Sequence, residues 1–132
     1  MIENNEKEAR KKARLKDKYI YPWVGVDLDS TLAVYDTFVD ETTIGEPIPA
    51  MVERVQKMLM QGTIVKIFTA RISHVDPTVR LQVIQAINEW CLKHIGRVLE
   101  VTCIKDFGML KLYDDRAIQV EKNTGRILGE EF

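Results

Sequence analysis

Two aspartates, Asp27 and Asp29, close an apolar, β-prone run that begins at Trp23, and two hydroxyls, Ser30 and Thr31, follow them. A strand that buries Trp23, Val24 and Val26 has no packing use for two carboxylates at its carboxyl end. In open α/β sheets, that end is where ligands bind. In extended chain the i, i+2 spacing puts both side chains on one side. They can then face one substrate, one as nucleophile and one as acid or base, with a cation to relieve their repulsion. Alone, an Asp-x-Asp is equally well a turn with solvated carboxylates. This pair is not alone. The run Thr63–Phe68 ends in Thr69 and Arg71, the run Val98–Cys103 is followed by Lys105, and the run Met109–Tyr113 ends in Asp114 and Asp115. Four apolar runs are thus each followed by polar groups suited to phosphate and magnesium.

That set, in that order, resembles the haloacid dehalogenase (HAD) superfamily of phosphohydrolases. The family's first motif is Asp-x-Asp-x-Thr, matched by Asp27-Leu28-Asp29-Ser30-Thr31. A Ser or Thr ends its next strand, matched by Thr69. A Lys follows, matched by Lys105, and then an acidic pair after a strand, matched by Asp114-Asp115. The likeness spans residues 22–120. One departure is Ser30, where the family usually has Gly, which bears on how closely backbone can approach a phosphate.

The resemblance implies a Mg²⁺-dependent phosphatase acting on a phosphomonoester, a phosphorylated small molecule or a nucleic-acid end. Asp27 would be the nucleophile and form an aspartyl-phosphate. Asp29 would be the general acid and then the base, with a higher pKa than the metal-bound Asp27. Thr69 would donate a hydrogen bond to the phosphoryl group, and Lys105 would neutralise it and hold Asp27. Lys111, inside a strand pattern, is its rival. Ser30, Thr31, Ala70 and Arg71 would contact phosphate or substrate, although Arg71 suits a pairing with Asp114 or Asp115 equally well. Arg116 would brace the acidic loop. Asp27, the Asp29 backbone carbonyl and Asp114 or Asp115 would be the protein ligands of Mg²⁺, a hard cation that takes oxygen ligands.

The elements that must position these groups alternate strand and helix. Pro49 suits the first turn of a helix in which Met51, Val52, Val55, Met58 and Leu59 recur at helical spacing, and Gly62 suits its stop. Asp76-Pro77 is a cap and first-turn proline for a second helix to about His94, with Leu81, Ile84, Ile87, Cys91 and Ile95 on one face. His74 falls in the loop after Thr69, where a solvated position outweighs substrate contact. Ala117–Val120 and Arg126–Leu128 flank Asn123-Thr124-Gly125 as a hairpin. The expected fold is α/β, a mostly parallel Rossmann-like sheet with helices on both faces. Right-handed crossovers bring the strand carboxyl ends to one edge. The connection Leu32–Ile48 is too short for a folded cap domain, so an open site with at most a small flap is expected. In the family, capless members often act on large substrates or close the site by oligomerising, and for this chain both a large substrate and a homo-oligomer stay open.

The chain has 132 residues and a formal net charge of −1. Residues 19–132 are read as one domain and residues 1–18 as a charged helix or arm. The basic leader Lys7–Lys18 is diluted by Glu3, Glu6, Glu8 and Asp17, which favours a solvated segment over a nucleic-acid arm. The amino terminus lacks an apolar signal region, and no apolar run approaches the roughly 18 residues of a membrane span. Cys91 and Cys103 lack disulfide or zinc spacing and read as buried, reduced thiols of a cytoplasmic protein. A receiver-like phosphoacceptor domain also uses acids, a Thr and a Lys. Its acidic pair precedes the phosphoacceptor, whereas here Asp114-Asp115 comes last. A non-catalytic phosphate-binding domain is the other alternative.

Overall fold

The structure, a computed structural model, describes residues 5–8 and 21–129. Its elements are β1 (Trp23–Asp27), α1 (Pro49–Met60), β2 (Val65–Phe68), α2 (Pro77–His94), β3 (Val101–Thr102) and β4 (Met109–Tyr113), with a 3-10 turn at Ala70–Ile72. The sheet order is β3-β2-β1-β4, and every pairing is parallel. The chain steps from β1 to β2 to β3 in one direction and then returns past β1 to β4. The strand order therefore reverses between β1 and β4, and ligands of open α/β sheets bind at such a reversal, beyond the strand carboxyl ends.

Register sorts the side chains. Val24 pairs with Val65 and Val26 with Ile67, and parallel partners point to the same face. Val26, Val65 and Ile67 join Val52 and Val55 of α1 and Val83, Ile87, Trp90 and Cys91 of α2 in one buried cluster. Burying each such side chain stabilises the fold by about 1.5–3 kcal/mol. The two helices also touch, since Gln56 Nε2 donates to the Ile95 carbonyl at 3.1 Å. Helices α1 and α2 therefore cover the same face, not opposite faces as expected. The reason is topological. Two right-handed crossovers stepping in one direction put both helices on one side, and the short return from β3 to β4 carries no helix. The other face holds Trp23, which packs against Phe68 with ring centroids 6.5 Å apart and under Lys66 Nζ at 4.7 Å. A Cβ on Gly25 there would press on Leu112 and Trp23 at 3.0 and 3.1 Å.

The helix boundaries match their signals. Pro49 and Pro77 sit in the first turns, and Asp76 caps α2 by accepting from the Thr78 amide at 2.9 Å. Gly62 and Gly96 follow the helices with positive φ, a left-handed stop open to glycine. The buried face of α2 is rotated from the expected one: Val83 and Trp90 are inside, while Leu81 is exposed. Trp90 wins because its indole N–H reaches the Gly45 carbonyl at 2.9 Å. Strands β2 and β3 are shorter than expected. The expected hairpin is a chain reversal with one antiparallel bridge, Val120 to Ile127, and no strands. Cys91 is buried, but Cys103 is partly exposed. The expected basic leader falls largely outside the described residues. No helix of the described residues is long and apolar enough to cross a membrane.

Candidate active site

Four segments meet beyond the carboxyl ends of β1, β2 and β4. Asp27 ends β1, and the chain then turns sharply: the Ala33 and Leu32 amides both donate to the Leu28 carbonyl at 2.9 Å, and the Ser30 amide donates to the Ala33 carbonyl at 2.8 Å. Ser30 pays for this turn with φ = 71°, a left-handed conformation natural to glycine and costly for other residues.

Thr31 links the two acidic loops. Its Oγ1 accepts from the Asp115 amide at 3.0 Å and lies 3.2 Å from both Asp27 Oδ2 and Asp115 Oδ1, so its one proton is shared between two carboxylates. Oxygens of Asp27, Asp114 and Asp115 all lie within 4.8 Å of one another. Burial, together with the charge of Asp114 and its contact with Asp115, lifts the Asp27 carboxyl to about 7. Among the described residues no ion pair neutralises these three carboxylates, and an all-oxygen donor set with two partly buried members, Asp27 and Asp114, fits a hard divalent cation.

Asp29 faces the same cleft but has a different partner. Arg71 Nε donates to Asp29 Oδ2 at 2.8 Å and Arg71 Nη2 to Asp29 Oδ1 at 2.9 Å. Nη1 of the same guanidinium donates to the Glu41 carbonyl at 2.8 Å and the Asp40 carbonyl at 3.3 Å. Arg71 therefore pairs with neither Asp114 nor Asp115; it joins Asp29 to the connection after β1. Thr69, buried at 2% exposure, positions Arg71 by accepting from its amide at 3.1 Å. That leaves the Thr69 hydroxyl proton to donate into the cleft.

The connection itself is a pinned flap without a helix. At its base the Val34 amide donates to the Glu46 carbonyl and the Ile48 amide to the Leu32 carbonyl, both at 2.8 Å. A Cβ on Gly45 would overlap the Val34 carbonyl, so the two arms pass in glycine contact. At its tip Asp40 accepts from the Thr42 and Thr43 amides at 3.0 and 2.7 Å. The cleft between flap and sheet has a volume of about 340 Å³ and is lined by Asp27, Asp29, Ser30, Thr69, Ala70, Arg71, Asp114 and Arg116, with Tyr35, Phe38 and Phe68 as aromatic walls.

Lys105 is not among these residues. It is exposed and makes no ion pair with Asp27, Asp114 or Asp115 among the described residues. Lys111 lines a second cavity beside α1, away from the cluster. Arg116 was expected to brace the acidic loop, but only its amide does so, donating to Asp114 Oδ1 at 2.8 Å, while the residue lines the cleft. Its place directly after the acidic pair was the one sequence signal for it. His74 is exposed, and its Nδ1 accepts from the Asp76 amide at 3.1 Å, the solvated-loop position. Matched against protein-family models, curated proteins and solved structures, the chain returned no similar protein.

Proposed function

We propose that the chain is a Mg²⁺-dependent phosphatase that hydrolyses a phosphomonoester through an aspartyl-phosphate on Asp27, as its resemblance to the HAD superfamily implies. The observation that carries this reading is the convergence of Asp27, Asp114 and Asp115 at the β1/β4 reversal, beside Thr69 and two arginines. Asp27, Asp114 and Asp115 would hold the cation, which when bound neutralises the carboxylates and the incoming phosphate.

The chain's own residues supply the remaining chemistry. Asp27, oriented by Thr31, attacks phosphorus and displaces the alkoxide, which takes its proton from Asp29. Asp29 then removes a proton from water, whose oxygen attacks phosphorus and frees inorganic phosphate and the Asp27 carboxylate. Both Asp29 oxygens accept from Arg71, so proton exchange there requires one of those bonds to be released. Thr69 donates to a phosphoryl oxygen. Arg116, which lines the cleft, is better placed than Lys105 to neutralise the transferring group.

The test is phosphate release from a panel of phosphomonoesters, including 3′- and 5′-phosphorylated oligonucleotides, with Mg²⁺ and with chelator. Turnover that requires Mg²⁺ and disappears in Asp27→Asn, with the fold retained, is the expected result. The Arg71 fork on Asp29 favours one second reading, a phosphate-binding domain without turnover. Mg²⁺-dependent binding of the esters with no phosphate released would select it.

A further inference from the structure

The cleft has a wall whose chemistry neither the carboxylates nor the arginines explain. Tyr35 and Phe38 reach it from the flap and Phe68 from the end of β2. Phe38 is 60% exposed, a large apolar ring held at the mouth of a highly charged site. Isolated exposed rings are ordinary on protein surfaces. The flap that carries this ring, however, is pinned: Arg71 binds the carbonyls of Asp40 and Glu41, Asp40 closes the tip through the Thr42 and Thr43 amides, and Trp90 and the Gly45 contact fix the base. Phe68 is fixed in turn by its packing on Trp23. At about 340 Å³ the cleft is at the small end of ordinary ligand sites, room for one compact group beyond a phosphate.

Resting on the phosphatase reading and narrowing its substrate, we infer that Tyr35, Phe38 and Phe68 form a stacking wall that selects phosphomonoesters whose leaving group carries a planar nucleobase. The flap is then a specificity element fastened by Arg71. Aromatic faces bind bases by stacking with little regard to base identity, and one such contact changes affinity by about tenfold or more. An aliphatic phosphate of equal charge gains nothing from the wall.

The experiment compares adenosine 5′-monophosphate with ribose 5-phosphate, which share the phosphate and sugar and differ in the base. Binding is measured by calorimetry with Mg²⁺ on the full chain carrying Asp27→Asn, so that turnover does not interfere. A 5′-phosphorylated dinucleotide is the third ligand and separates a free nucleotide from a strand end. The expected result is about tenfold tighter binding of the base-bearing ligands than of ribose 5-phosphate. Adding Phe38→Ala should shrink that ratio to within about twofold, whereas Leu92→Ala, on the exposed side of α2, should preserve it. Equal affinity for all three ligands, no detectable binding of the nucleotide, or a ratio untouched by both Phe38→Ala and Tyr35→Ala overturns the wall. The phosphatase reading fails separately, if the chain with native Asp27 releases no phosphate from any ester.

Discussion

Arg71 holds both carboxylate oxygens of Asp29, at 2.8 and 2.9 Å, and with its remaining nitrogen holds the flap through the Glu41 carbonyl. One guanidinium thus sets the position of the proposed acid–base group and of the loop above it. A planar fork does this; an ammonium cannot. Arg71→Ala should lower turnover about a hundredfold, the loss typical of a displaced acid–base group, with the circular dichroism spectrum unchanged. Arg71→Lys should recover only a small part. Turnover within about threefold of the native chain in Arg71→Ala would remove Arg71 from the site's architecture.

The acidic cluster predicts a pH dependence of stability. The Asp27 carboxyl is lifted to about 7 in the fold, from an ordinary value near 3.8. Between those values the unfolded chain is ionised there while the fold is protonated, so unfolding releases a proton and stability falls as pH rises. Its contribution should therefore decline from about pH 4 to pH 7 and level off above. Thermal melts in chelator across that range check this, with Asp27→Asn lacking the decline. Mg²⁺ should raise the melting temperature more at pH 8 than at pH 5.5, because a protonated Asp27 is a poor ligand. Equal stabilisation at both values would argue against Asp27 as a ligand.

Ser30 carries the strained turn, with φ = 71°. Ser30→Gly removes that strain but adds freedom to the unfolded chain, so stability should change by less than about 1 kcal/mol. Ser30→Val places a β-branched side chain in the same conformation and should cost about 1–2 kcal/mol or more. Denaturant melts of the two variants measure the contrast. A valine tolerated as well as glycine would mean that this turn adopts another conformation in solution.

The two thiols should separate under a thiol reagent. Burial pushes the Cys91 thiol up to about 11, so little thiolate forms and access is closed. Cys103, partly exposed after β3, should react in the native state, and Cys91 only on unfolding. Two equally fast reactions without denaturant would contradict the packing of α2 on the sheet.

How much of this was legible from the residues follows from what each feature depends on. The strand β1, the strand β4 and both helices were readable because their signals are local: an apolar run, a proline in the first turn, a glycine after the last. The meeting of Asp27, Asp29, Thr69 and the Asp114-Asp115 pair at one edge was also readable, since parallel strands with right-handed crossovers admit little else. Partner choice was not. The sequence offered Arg71 a substrate or a pairing with Asp114 or Asp115, and only the path of the flap puts its fork on Asp29. Lys105 and Arg116 are both basic residues in loops after strands, and only the turn after β4 decides that Arg116 lines the cleft. The face of α2 was misjudged for the same reason: Leu81 and Trp90 are both apolar, and the Gly45 carbonyl waiting for an indole N–H belongs to a segment far away in the chain. Local order and strand direction are written in short stretches of residues. Which charge meets which, and which apolar ring stays exposed, are settled by contacts between stretches, and so by the tertiary structure alone.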